Sequence, residues 1–249
     1  MVHYEIYQEI IEESLKELVF IINWINEREN DLDNPITVLI GGWAVDAYNP
    51  WYGSVDIDLV TNNRTKNHLK QILFETRGYE RLKSPLVNTV YKPIKEDQQI
   101  LIDFANKHGH HKFEGRTDEL NLRILDDNTV KKMIRGSVSA SVPSRSLLLL
   151  LKLKAVWDRE YRVENNRTSI IEYEKSKIIK DYADVIALLD PESGGHEIDT
   201  HFLGEKIDQF DFLRDIIKSI PNINDAINMY GRMNKDQVKN TIDKLLSLI

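Results

Sequence analysis

Apolar positions recur at helical spacing between residues 4 and 28, at Ile6, Ile10, Ile11, Leu15, Leu18, Val19 and Ile22. Acidic residues fill the other face, so the pattern predicts a long amphipathic helix. DLDNP (31–35) ends it, and the short apolar run Thr37–Ile40 predicts a strand. Gly41 and Gly42 read as a turn, and WAVDAY as a short helix that Pro50 and Gly53 in NPWYG prevent from continuing. The period then switches to two. Val55–Thr61 predicts a strand, residues 65–76 a helix, and RGYERL a turn and edge strand. VNTVYKPI and QQILIDFAN predict two successive strands joined through KEDQ.

From 105 to 142 the chain is more polar, with strand-like pieces at LNLRIL and SVSASV. Beyond Pro143, SRSLLLLLKLKAVWDREYR opens on a serine cap and runs as an apolar helix carrying basic residues. KSKIIKDYADVIALLD is a second helix, closed by PESGG, and the remainder reads as further helices. The order predicts an α/β (α+β) fold in which a mixed sheet is flanked by helices and followed by a helical region. The expected division is 1–142 and 143–249.

At 249 residues the chain can bury a sizeable core without help from metals or disulfides, and it has no cysteine, which excludes disulfides and thiolate chemistry. No apolar run approaches the roughly 20 residues that cross a bilayer, and MVHYEIYQEI lacks a signal peptide's basic start, so the expectation is a soluble, cytoplasmic protein. The formal charge of −7 is uneven. Residues 1–104 carry 10 basic against 17 acidic side chains, 105–182 carry 16 against 11, and 183–249 carry 7 against 12. A basic middle between acidic ends suits the lining of a phosphate-binding cleft; the alternative is that solvated helix faces simply differ in charge.

Asp56 and Asp58 break an otherwise apolar strand. In extended chain they project from one face, with their carboxylates roughly 7 Å apart given a rise of about 3.3 Å per residue. Like charges so placed repel and raise each other's pKa unless a cation neutralises them, and an all-oxygen donor set suits Mg²⁺ or Mn²⁺. Asp103 in ILIDF is a third lone acid in an apolar strand. The glycine pair at 41 and 42 follows a strand and opens a helix, leaving backbone N–H groups to face an anion such as a nucleoside triphosphate. An anion cradle beside a divalent-metal site is equipment for phosphoryl or nucleotidyl transfer. Exposed strand-end aspartates are the alternative.

GGWAVDAYNPWYGSVDIDLV followed by ILIDF resembles the nucleotidyltransferases of the polymerase-β superfamily: a glycine turn, an h-D-h-D-h strand, and a later acid. LLLLLKLKAVWDRE and KIIKDYADVIALL are similar to the K-L-x-A-x-x-x-R and K-D-x-x-D segments of the AbiEii-type toxin nucleotidyltransferases. The motifs span residues 38–190. The resemblance implies that Gly41, Gly42 and Ser54 hold phosphates and that Asp56 and Asp58 bind Mg²⁺ or Mn²⁺. It further implies that Asp103 completes the metal site or acts as base, that Lys152 contacts the triphosphate, and that Asp181 lies on the rim. Related sequences often carry arginine where this chain has Tyr52, so one cationic contact is missing or supplied elsewhere.

Lys152 with Arg159, and Asp181 with Asp184, are also spaced to form a helix–helix salt-bridge set. His108, His110 and His111 lack the spaced partners of a zinc site and read as a loop. Asp46 reads as a helix-surface carboxylate. Trp43, Tyr48, Trp51 and Tyr52 are either packing residues or a base-stacking group. The implied activity is transfer of a nucleotide from an NTP to a hydroxyl. The acceptor would be RNA, by analogy a tRNA 3′ end, and an antitoxin protein would be a partner. A small-molecule transferase, like those acting on aminoglycosides and lincosamides, and a non-catalytic nucleotide- or antitoxin-binding module are the alternatives.

Overall fold

A computed structural model describes residues 2–28, 35–81, 88–95 and 98–249, with side chains from residue 8 onward. The breaks expected at DLDNP and KEDQ fall largely outside the described residues. The protein is mixed α/β, and it divides into two compact units: residues 1–109 with 121–143, and 110–120 with 144–249.

In the first unit, helix α1 (Val2–Asn26) buries Ile10, Ile11, Leu18 and Ile22 of the expected stripe together with Ile21 and Ile25, while Leu15 and Val19 are half-buried and Glu17, expected on the polar face, is buried where Arg77 and Lys92 meet it. Strand β1 (Val38–Ile40) leads directly into helix α2 (Gly41–Tyr48), so the glycine pair forms the first turn of the helix rather than a turn before it. Strand β2 (Ile57–Thr61) starts later than expected and leaves Asp56 in the bend that precedes it. Helix α3 (Asn63–Thr76) opens on Asn62, whose side chain accepts the Thr65 N–H, and buries only Leu69 and Leu73. Strands β3 (Glu80–Arg81), β4 (Thr89–Lys95) and β5 (Gln98–Asn106) complete a five-stranded sheet of order β1-β2-β5-β4-β3. Only the β2–β5 pair is parallel; β1–β2, β5–β4 and β4–β3 are antiparallel.

Alternation fixes the two faces of this sheet. Ile57, Leu59, Ile100, Ile102 and Phe104 are buried on one face, and the half-buried Asp58 and Asp103 stand on the other. Trp43 is fully buried and donates its indole N–H to Ser14, tying α2 to α1. A separate hairpin of β8 (Thr129–Ile134) and β9 (Val138–Pro143) turns at Arg135 and Gly136, both at positive φ. The hairpin includes SVSASV as expected. LNLRIL does not form a strand: only Glu119–Asn121 is extended, and Leu122–Leu125 is a turn of 3₁₀ helix that buries Leu122 and Leu125 together. An apolar i, i+3 pair in so short a run satisfies either geometry, and its local alternation was misleading.

The second unit is built on α4 (Arg145–Glu164) and α5 (Ile171–Leu189), followed by α6 (Thr200–Gln209), α7 (Leu213–Ser219), α8 (Asn224–Tyr230) and α9 (Lys235–Leu246). Ser144 caps α4 by accepting the Leu147 N–H. Its core gathers Leu147–Leu150, Leu153 and Val156 of α4 with Tyr182–Leu189 of α5. The hairpin of β6 (His110–Lys112) and β7 (Glu119–Asn121) sends Phe113 into this unit, where its ring lies 4.8 Å from Phe210 and 5.0 Å from Phe212. Among the described residues no helix is long and apolar enough to cross a membrane.

Candidate functional site

Asp58 and Asp103 are register partners in the parallel β2–β5 ladder, so their side chains leave the sheet side by side on the same face. Asp58 is also opposite Ile40, the last residue of β1, which brings the start of α2 against it. Gly41 has φ +70°, and a Cβ added there would overlap the Asp58 carboxylate and lie 2.7 Å from its Cγ. Glycine is thus required twice at this position, for its backbone conformation and for the space it leaves. The positive end of α2 begins beside the carboxylate. Gly42 follows as a buried residue of the first turn.

On its other side Asp103 is paired with Thr89 of β4, whose hydroxyl donates to Asp103 Oδ1. The backbone of Asn88, just before Thr89, accepts the Phe104 N–H at 3.2 Å. Thr89 was not singled out from the sequence, although the strand alternation in NTVY would have put it on the face that β4 shares with Asp103. Asp56 is half-buried one residue outside β2, so the three acids are not three strand residues in a row.

Ser54 is buried at 6% exposure, immediately after Gly53, which has φ +77°. The Gly53 N–H donates to Asp46 Oδ1 at 2.9 Å. Asp46 is not a surface carboxylate: it is 1% exposed and receives Arg135 Nε at 2.8 Å and Nη2 at 2.9 Å. An acid in an amphipathic helix usually faces water; here an arginine 89 positions later in the chain decides otherwise. Arg135 therefore places a guanidinium next to the Gly53–Ser54 turn. Trp51 and Tyr52 are half-buried with ring centroids 5.2 Å apart, and Tyr48 donates to the Pro143 carbonyl at 2.7 Å.

In the second unit, Lys152 Nζ lies 2.9 Å from Asp181 and 2.6 Å from Asp184. Arg159 bridges Asp181 at 3.0 Å and Glu174 at 2.8 Å. Burial alone would depress the Lys152 ammonium pKa, but the two carboxylates outweigh it and hold the group above the ordinary lysine range. Burial would likewise raise Asp181; Lys152 and then Arg159 hold it below the usual aspartate range. The helix–helix salt-bridge set expected from spacing is present, and a triphosphate reaching Lys152 has to compete with both buried acids.

The basic middle of the chain is extensively paired. Its buried or half-buried members Lys107, Arg145, Lys154 and Lys180 meet Asp126, Glu197, Asp158 and Asp184 respectively, as Arg135 meets Asp46. His108 and His110 have separate partners: His108 Nδ1 accepts from Arg123 at 3.1 Å, and His110 pairs with Glu119 at 2.8 Å; His110 and His111 lie in strand β6 rather than in the expected loop.

Among the described residues no three His, Asp or Glu side chains gather tightly enough to enclose a metal ion. An Mg²⁺ ion does not need such a cage, because it keeps several waters and takes one or two carboxylates together with substrate phosphates. The adjacent, all-oxygen pair Asp58 and Asp103, with the glycine cradle beside Asp58, fits that requirement. No family model matches the chain, and no curated protein matches it.

Proposed function

We propose that this protein is a metal-dependent nucleotidyltransferase of the polymerase-β type that transfers NMP from an NTP to a hydroxyl of RNA, at a tRNA 3′ end, in the manner of an AbiEii-like toxin. The observation that carries the reading is the single rung on which Asp58 and Asp103 stand together, with Gly41 packed against Asp58.

In this reading Asp58 and Asp103 hold Mg²⁺ or Mn²⁺, and Asp56, at the mouth of β2, adds a third carboxylate. The bound ion supplies positive charge against the triphosphate and acidifies the acceptor hydroxyl. Gly41 and Gly42 let the triphosphate approach backbone amides at the start of α2, and Ser54 offers a hydroxyl from the turn that Asp46 and Arg135 hold. The acceptor oxygen forms a bond to the α-phosphorus as the bond to the bridging oxygen of pyrophosphate breaks. The acceptor proton passes to Asp103, which Thr89 orients through its hydroxyl. Positioning and charge compensation are the protein's main contributions to such a step.

Incubation of the pure protein with each α-labelled NTP, Mg²⁺ and total RNA tests the proposal. Label on tRNA is the expected result. Label on a hydroxyl-bearing drug and never on RNA replaces the acceptor assignment, and no label on any acceptor overturns the activity.

A further inference from the structure

We infer that Tyr91, beside Leu101 and tethered by Glu80, is the platform on which the terminal nucleobase of an RNA acceptor stacks while its ribose hydroxyl lies at Asp103; this rests on the reading of the acidic site just given. The register sets two adjacent rows on one face of the sheet. Ile40, Asp58, Asp103 and Thr89 form the first. Leu101, Tyr91 and Glu80 are partners in the second, which lies two residues along β5 and β4. Asp56, two residues before Asp58, stands at the head of this second row. The step between rows is roughly 7 Å at about 3.3 Å per residue, the span of a single nucleoside.

Helices close the opposite face. Leu39, Ile57, Val90, Ile100 and Ile102 there are at most 1% exposed, Lys92 meets Glu17 of α1, and Arg81 lies over the Phe74 ring of α3. On the acidic face Asp56, Asp58, Thr89, Tyr91, Leu101 and Asp103 are all half-buried and Glu80 is exposed. Tyr91 and Leu101 therefore present an aromatic and an apolar surface to solvent one step from Asp103. The Tyr91 hydroxyl donates to Glu80 Oε2 at 2.6 Å, which orients the ring and raises the phenol's pKa above its ordinary value. Among the described residues the ring meets no other aromatic ring and no cation. With the hydroxyl engaged by Glu80, the face of the ring is what Tyr91 has to offer a ligand.

The charge of this face selects the occupant. Its two rows carry Asp56, Asp58, Asp103 and Glu80 and no basic side chain. A phosphate would be repelled beside Glu80, whereas an uncharged nucleobase stacks on an aromatic ring whichever base it is. The platform thus takes the last nucleoside of a single strand, and the backbone phosphates run elsewhere. A polycationic drug would meet the same acids through its ammonium groups and would not need the ring. A cross-strand pair such as Tyr91 and Leu101 also supports the sheet, so the test separates stacking from packing.

A single-stranded RNA ending in 2-aminopurine, whose fluorescence falls when it stacks, is titrated with the full-length protein. Wild type and Tyr91→Phe, which keep a ring, should quench the probe; Tyr91→Leu should not. In labelling assays with Mg²⁺ and α-labelled NTP, Tyr91→Leu should raise the KM for RNA by about 5- to 150-fold, the usual range for losing one base–aromatic stack. The KM for NTP and the salt dependence of RNA binding should stay unchanged, since no phosphate contact is removed, and Tyr91→Phe should keep the parental KM for RNA. A loss of sheet packing alone would lower the unfolding midpoint and shift both KM values together. Tyr91→Thr, which suits a strand, serves if the leucine variant unfolds. Equal quenching by the leucine variant, a wild type that leaves the probe unquenched, or transfer confined to an aminoglycoside with a KM indifferent to Tyr91→Leu overturns the inference. Ring-dependent quenching by a protein that transfers nothing refutes the catalytic reading and leaves the platform standing. Transfer to RNA with the leucine variant at parental KM refutes the platform alone.

Discussion

Asp58 and Asp103 stand side by side on one rung of the only parallel strand pair in the described sheet. Replacing Asp58 or Asp103 by asparagine keeps the size of each side chain and removes its charge. Nucleotide transfer is expected to fall by orders of magnitude while the unfolding transition stays within about 1 kcal/mol of the parent, because both side chains are only half-buried. Incorporation of α-labelled NTP and urea unfolding measure the two quantities. Near-parental transfer in either variant would remove the basis of the metal assignment.

Thr89 offers a finer test. Thr89→Val removes the hydroxyl that holds Asp103 and is expected to weaken apparent Mg²⁺ affinity by about 10- to 100-fold, the usual effect of losing a partner behind a metal ligand. The KM for NTP at saturating Mg²⁺ should stay unchanged, and Thr89→Ser should restore the metal dependence. A valine variant with parental Mg²⁺ titration would show that the hydroxyl serves packing alone.

Gly41→Ala forces a left-handed backbone on alanine and drives a methyl group into the Asp58 carboxylate. The backbone strain costs about 1–3 kcal/mol. Displacement of Asp58 should abolish transfer even at temperatures where the variant remains folded. Gly78, also at positive φ but with nothing near its missing Cβ, supplies the comparison: Gly78→Ala should lose stability and keep activity.

Asp46→Ala leaves Arg135 and the Gly53 N–H without their shared acceptor in a buried setting. Breaking a buried pair from one side typically costs about 3–5 kcal/mol, and the double variant Asp46→Ala/Arg135→Ala should recover part of that loss. Urea unfolding of the four proteins gives the coupling directly. Additive losses would mean that the ion pair does not hold the turn.

The Lys152–Asp181–Asp184 set gives the second unit a defined pH response. The folded pKa of Asp181 is lowered, so its stabilisation is full above the unfolded aspartate value of about 3.9 and is lost as pH falls through the folded value. The folded pKa of Lys152 is raised, so its stabilisation is full below about 10.4 and is lost as pH rises through the folded value. Lys152→Gln should lower the plateau between these limits by about 3 kcal/mol, since two buried carboxylates lose their shared counter-charge. Circular dichroism of urea unfolding across pH reads this out; an unchanged plateau would contradict it.

Local pattern determined much of the architecture. Helical spacing marked α1, α3, α4 and α5, a serine marked the start of α4, and alternation alone put Asp58 and Asp103 on the polar faces of their strands. These features depend on residues a few positions apart, where backbone period and side-chain direction are coupled. Tertiary structure decided what lies beyond that range. It paired β2 with β5, in the register that makes the two aspartates neighbours, and it started β2 one residue after Asp56. It buried Asp46 beneath an arginine from a distant hairpin and neutralised much of the basic middle block. Register and ion pairing join residues that are distant in the chain, and a sequence records which charges are present without recording which of them meet.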